Sequence, residues 1–194
     1  KVYGEAIAVL AGDAMTALAF ECLLVEDKKN CFPEGAVVRA SRCVARAIGT
    51  LGLVGGQVMD IANYAKDGEK ATLERTCECK TAALIETSLE CGAILAGASQ
   101  KALRVLQRYG KGLGLGFQIT DDILNVTGDS QQMGKSTHSD QAHDKVTFPQ
   151  LLGVEAAKTE ARQWLSDAKS ALHFLGDLAW PLQDIADYVL ERQS

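Results

Sequence analysis

Apolar residues recur at intervals of three and four along most of this chain, and short polar clusters interrupt them, a pattern that predicts helices throughout and no strands. The first predicted helix runs from Glu5 to Leu24 and is apolar enough to be expected in a core. Asp27-Lys28-Lys29-Asn30 and Pro33-Glu34-Gly35 then break the chain, with Pro33 suited to the first turn of the next helix. From Ala36 to about Tyr64 the period predicts one long helix. Its Arg39, Arg42 and Arg46 form a basic stripe expected to face water, and Gly52, Gly55 and Gly56 imply close contact with a neighbour, since each weakens a helix by about 1 kcal/mol relative to alanine. Lys66 to Lys70 reads as an exposed turn, and Thr72 is suited to cap a helix reaching about Ala96. After a break at Gly97 to Gln100, a further helix spans Lys101 to about Val126. Thr127 to Phe148 is a long polar stretch, of a length that is usually functional or mobile. Glu155 to Phe174 has Trp164, Leu165, Leu172 and Leu175 directed inward, and Pro181 opens a last helix ending at Arg192.

One stretch of that pattern carries the candidate chemistry. Gly112-Leu113-Gly114-Leu115-Gly116 is small and apolar, and Phe117 to Asn125 continues it with two adjacent carboxylates and an amide. On a helix Asp121 and Asn125 stand at i and i+4, with Asp122 about 100° round from the first. Three oxygen-bearing groups thus converge on one rim. Ionised carboxylates are rarely buried unless paired or bound to metal, and hard oxygen donors supplied only partly by protein suit Mg²⁺, which completes its octahedron with water and substrate phosphate. The glycines do not form a dinucleotide loop, because they lie inside a helix already under way and have the wrong spacing; close helix packing is the expectation.

Composition narrows the classes. At 194 residues, 47% hydrophobic and only 6% aromatic, the chain can build one domain with a substantial core, and its three prolines leave helix favoured. A net charge of −5 gives no electrostatic case for nucleic acid. Asp13, Glu86 and Glu90 interrupt the longest apolar runs short of the roughly 18 to 20 residues that span a bilayer, so no membrane span is expected, and no signal peptide is visible. The six cysteines, Cys22, Cys31, Cys43, Cys77, Cys79 and Cys91, lack a disulfide spacing and read as reduced thiols in a reducing compartment. Cys77-Glu78-Cys79 is too tight for a zinc site, and His138 and His143 have no partners at zinc spacing.

Phe117-Gln118-Ile119-Thr120-Asp121-Asp122-Ile123-Leu124-Asn125, followed by Gly134-Lys135 and by Asp144-Lys145-Val146-Thr147-Phe148-Pro149, resembles the second aspartate-rich motif and following loop of the trans-isoprenyl diphosphate synthases. Gly4-Glu5 to Ala14, Gly56-Gln57-Val58-Met59-Asp60-Ile61 and Lys80-Thr81-Ala82-Ala83-Leu84 are similar to further blocks in the same order, and the flavour is that of plastid and bacterial geranylgeranyl diphosphate synthases. The resemblance implies an all-α bundle of the isoprenoid synthase type, of which residues 1 to 194 are a single C-terminal portion lacking the N-terminal helices. It implies Mg²⁺, with Mn²⁺ as a substitute, bound by Asp121 and Asp122 and more weakly by Asn125, which replaces the family's third aspartate. Gln57 and Asp60 would act one layer behind. Lys80, Thr81, Gln118, Lys135 and Lys145 would be catalytic and bind the diphosphate, and Phe117 would wall the hydrocarbon. Isopentenyl diphosphate and an allylic diphosphate are the implied substrates, with chain elongation the reaction, in the cytoplasm or in a plastid.

Three departures bear on activity: Asn125 itself, the absence of the first aspartate-rich motif upstream of Gly4, and His138-Ser139 where the family commonly has glycine and lysine. A non-catalytic subunit of a heteromeric synthase is therefore the alternative, and an unrelated helical binding protein a third reading. The long small-residue-rich helices from Ala36 to Tyr64 and Ala71 to Ala96 lead to the expectation of a homodimer, with a hetero-dimer as the variant.

Overall fold

In the computed structural model, residues 2 to 24, 31 to 66, 68 to 127 and 145 to 192 are described. They form α1 (Glu5–Leu23), α2 (Ala36–Ile48), α3 (Leu53–Ile61), α4 (Lys70–Cys77), a π-helical turn (Glu78–Ala82), α5 (Ala83–Leu95), α6 (Gln100–Thr127), α7 (Phe148–Leu152), α8 (Val154–Ala171), a 3₁₀ segment (Leu172–Ala179) and α9 (Trp180–Glu191). No strand occurs among the described residues.

The bundle is built around α6, which packs most extensively on α8 and α5. Its glycines explain why. Side chains four apart share a helix face, so Gly110 and Gly114 point one way and Gly112 and Gly116 another. A Cβ on Gly110 would stand 2.6 Å from Glu86 Cα, and one on Gly114 would stand 2.4 Å from Ala82 Cα. A Cβ on Gly112 or Gly116 would meet the Trp164 carbonyl at 2.9 Å or Leu165 Cγ at 2.6 Å. Two opposing helices are therefore seated directly on the α6 backbone. Around this axis Leu115, Ile119 and Ile123 pack with Leu73, Phe148, Ala157 and Ala161. Further along, Tyr109 and Leu113 pack with Leu165, Ala168 and Leu172, and the Tyr109 hydroxyl donates to the Leu182 carbonyl at 2.7 Å, tying α9 to the core. Leu115 and Ile119 are fully buried, each contributing about 1.5–3 kcal/mol by leaving water.

The structure corrects four expectations. The helix foreseen from Ala36 to Tyr64 is two, because Gly49 and Gly52 bracket a turn, and Gly52 lies where a Cβ would sit 2.0 Å from the Ala47 carbonyl oxygen. Thr72 does not cap; α4 begins at Lys70, and the Thr72 hydroxyl donates to Glu69 instead. α1 has no buried residue, its principal neighbour being α2, so the helix expected in a core lies exposed. It is also long and apolar enough to cross a membrane by length and composition, since Asp13 and Glu21 do not break the run; core helices of soluble proteins meet the same criterion. The basic stripe does face water: Arg39, Arg42 and Arg46 are all exposed.

Glu86 records the tight α5–α6 contact electrostatically. Burial, reinforced by the nearby Glu90 carboxylate, raises its pKa above the ordinary 4.5. An acid whose folded pKa is raised carries a penalty while ionised, and loses it as pH falls through that pKa towards the unfolded value. Glu86→Gln should therefore raise the melting temperature at about pH 7.5, and the gain should shrink towards zero by about pH 4. Melts at both pH values check this; an equal gain at both would show that desolvation of the charge is not the cause.

Candidate functional site

The π-helical turn places Lys80 and Thr81. A π turn carries one residue more than the α-helix it interrupts and often marks a functional site. Here it brings α3, the turn and α6 together: a Cβ on Gly56 would sit 2.3 Å from Lys80 N, and Ala82 rests on Gly114. With the backbones this close, Lys80 reaches across to α3 and Thr81 to α6.

Beside the turn lies a cleft of about 260 Å³, lined among others by Asp60, Thr76, Lys80, Asp121, Asp122 and Lys145. Lys80 Nζ donates to Asp60 Oδ2 at 2.7 Å, and Lys145 Nζ donates to the same oxygen at 2.6 Å. Burial would raise the Asp60 pKa, yet the hydrogen bonds and charges of Lys145 and Lys80 outweigh it and hold the carboxyl below its ordinary value. One carboxylate thus gathers two ammoniums from distant parts of the chain.

A second set of bonds fixes Asp122, which is 6% exposed. The Thr81 hydroxyl donates to Gln118 Oε1 at 2.8 Å, and Gln118 Nε2 donates to Asp122 Oδ1 at 2.8 Å. The Phe148 backbone N–H, at the start of α7, donates to Asp122 Oδ2 at 3.3 Å. At that helix start the Thr147 backbone N–H donates to Gln150 Oε1 at 3.0 Å, so α7 is held where it meets the acid. Each Asp122 oxygen accepts one of these bonds. Asp121, one position before it and 34% exposed, faces the cleft. Cys77 also lines it, but burial and the adjacent Asp122 charge push its thiol pKa far up, so it stays protonated and unreactive.

Sequence reasoning therefore named most of this cleft. Asp60, Lys80, Gln118, Asp121, Asp122 and Lys145 line it together, and Thr81 joins through Gln118. Asn125 is buried and does not line it, and neither does Gln57 on α3, one turn before Asp60. Phe117 packs against the Tyr109 cluster instead. Lys135, His138 and His143 lie outside the described residues. Another residue touches a cleft residue from outside the lining, without any signal in the sequence. Arg192, just past α9, stacks its guanidinium over the Phe117 ring at 4.0 Å and reaches Asp121 Oδ1 at 3.5 Å. No motif or spacing marks it, since it stands 71 residues from Asp121.

Among the described residues no three His, Cys, Asp or Glu side chains gather to cage a metal. The donor set is instead two adjacent carboxylates at a cleft that also presents two lysines. That chemistry fits Mg²⁺ held by one or two carboxylates and completed by phosphate oxygens and water, and it fits Mn²⁺ for the same reason.

Residues 1–172 match the family model described as polyprenyl synthetase. The chain is 41% identical over its whole length to geranylgeranyl pyrophosphate synthase 7, chloroplastic, of Arabidopsis thaliana, covering 56% of that protein. It is 39% identical over 99% of its length to a dimethylallyltranstransferase of Fischerella ambigua, covering 55% of it. Among solved structures, a Helicobacter pylori geranyltransferase complexed with magnesium and isoprenyl diphosphate superposes with a TM-score of 0.76 at 31% identity, over 97% of this chain and 60% of that one. Heptaprenyl diphosphate synthase from Staphylococcus aureus superposes at 0.84 with 22% identity, over 99% of this chain and 69% of that one, a likeness of fold. The chain spans about half the length of the curated relatives it matches first.

Proposed function

Because the chain belongs to the polyprenyl synthetase family, we propose that it carries the diphosphate-binding half of a Mg²⁺-dependent prenyl chain-elongating transferase. The observation that carries this reading is the joint lining of one cleft by two lysines and two adjacent carboxylates. In the reaction, the allylic carbon–oxygen bond breaks, the double bond of isopentenyl diphosphate forms the new carbon–carbon bond, and a proton is lost. Asp121 and Asp122 would hold the metal, which when bound supplies Lewis-acid stabilisation of the departing diphosphate.

The remaining chemistry belongs to the chain. Lys80 and Lys145 present compact positive charges, and an entering diphosphate takes over the role Asp60 plays for both ammoniums. Gln118, oriented by Thr81, holds Asp122 in place. We place Lys135 with these lysines over the diphosphate, and assign Gln57, Asn125 and Phe117 supporting roles around the metal and hydrocarbon, on the motif resemblance alone. The synthase names of the relatives favour an elongating enzyme over a modulatory subunit, and the geranylgeranyl names favour that product. The chloroplastic relatives support a plastid location.

Incubating the protein with Mg²⁺, geranyl diphosphate and radiolabelled isopentenyl diphosphate should yield longer labelled isoprenyl diphosphates and release diphosphate. Binding of diphosphate without product would support the subunit reading, and no binding would overturn both. We also read residues 1–194 as the C-terminal portion of a single synthase domain that forms a homodimer, supported by the exposed apolar side chains of Ile7, Val9, Leu10, Met15 and Leu18 on α1. Sedimentation equilibrium should give twice the chain mass; a monomer at tens of micromolar would overturn that assembly, and a hetero-dimer on co-purification would shift weight to a two-subunit enzyme.

A further inference from the structure

Arg192 follows the last helix, yet its side chain is only 11% exposed. Burying a guanidinium is costly unless its charge is matched. Here the match comes from α6: the Phe117 ring beneath it, the Phe117 carbonyl accepting from Nη2 at 3.4 Å, and Asp121 Oδ1 at 3.5 Å. Phe117 and Asp121 are four apart, so one planar group spans one turn of α6 at the cleft rim. A lysine ammonium could not stack on the ring and also serve both acceptors.

We propose that Arg192 is a positioning residue for the metal–diphosphate site, orienting the Asp121 carboxylate at the cleft rim through its contact with Oδ1. This rests on the reading of Asp121 as a metal donor. Arg192 also lines a second groove, of about 220 Å³, with Leu124 and Arg162; the latter supplies a control cation in the same groove.

The test is calorimetric titration of inorganic diphosphate into the protein, with Mg²⁺ and again with chelator. Arg192→Ala and Arg192→Lys should each weaken Mg²⁺-dependent binding about tenfold, as the loss of groups that orient metal ligands does. Metal-free binding, carried by Lys80 and Lys145, should stay within about twofold, and Arg162→Ala should match the parent in both buffers. Equal losses with and without metal would mark a purely structural role and overturn the proposal. So would unchanged or tighter Mg²⁺-dependent binding in Arg192→Ala, or full function in Arg192→Lys. Asp121→Ala separates the two layers: if it keeps the Mg²⁺-dependent gain, the metal assignment falls and the positioning role with it. If it loses the gain while Arg192→Ala keeps it, the positioning role alone falls.

Discussion

On the proposed reading of Asp121 as a metal donor, Asp121→Ala should lower turnover by at least about two orders of magnitude, because the carboxylate would hold the cation that offsets charge developing on the departing diphosphate. The fold should survive, since Asp121 is partly exposed and contributes to no core cluster. Single-turnover rates with saturating allylic substrate, beside a thermal melt, check both halves of this expectation. An unchanged rate would place the metal elsewhere. Asp122→Ala makes an instructive contrast: it leaves the Gln118 amide and the Phe148 N–H without their acceptor in a buried setting, so stability should fall together with rate.

A large effect on stability is expected at Gly114. A methyl there would stand 2.4 Å from Ala82 Cα and 2.5 Å from Ala82 Cβ, and backbone cannot step aside as a side-chain tip can. Gly114→Ala should therefore destabilise by about 2–3 kcal/mol, the upper part of the range for overpacking, despite alanine's better helix propensity. Gly92→Ala is the control. Nothing lies within 4 Å of the point in α5 where its Cβ would stand, so the same change should stabilise by up to about 1 kcal/mol. Urea denaturation of the pair checks the sign as well as the size. A stabilised Gly114→Ala would mean that α6 and the π turn do not touch as described.

Local rules govern what the sequence disclosed. The period of three and four finds α6 to within a residue at each end, because a helix buried on two sides still needs its apolar and small positions in register. The acids and lysines of the cleft can be named because they depart from their apolar surroundings. The hidden features depend on encounters between distant segments. Nothing near Asp60 announces that Lys80 and Lys145, 20 and 85 residues away, both donate to it. The exposure of α1 is equally illegible, since an apolar helix reads as core whether or not a neighbour covers it. Gly52 reads as a packing contact inside a long helix, whereas it closes a turn between two, a choice that only tertiary geometry makes.

The π turn at Glu78–Ala82 also bears on which changes of chain length this protein can absorb. Its extra residue is taken up in one wide turn between α4, which carries the cleft-lining Thr76 and Cys77, and α5, which meets Gly110 through Glu86. Removing one residue would rewind the segment as ordinary helix, with one residue fewer to place both contacts of the wide turn. Either Lys80 would swing away from Asp60, or Ala82 would leave Gly114. In a library of variants, substitutions at exposed sites such as Arg75 should pass while single-residue deletions from 78 to 82 vanish, so this segment is read by its length as much as by its letters.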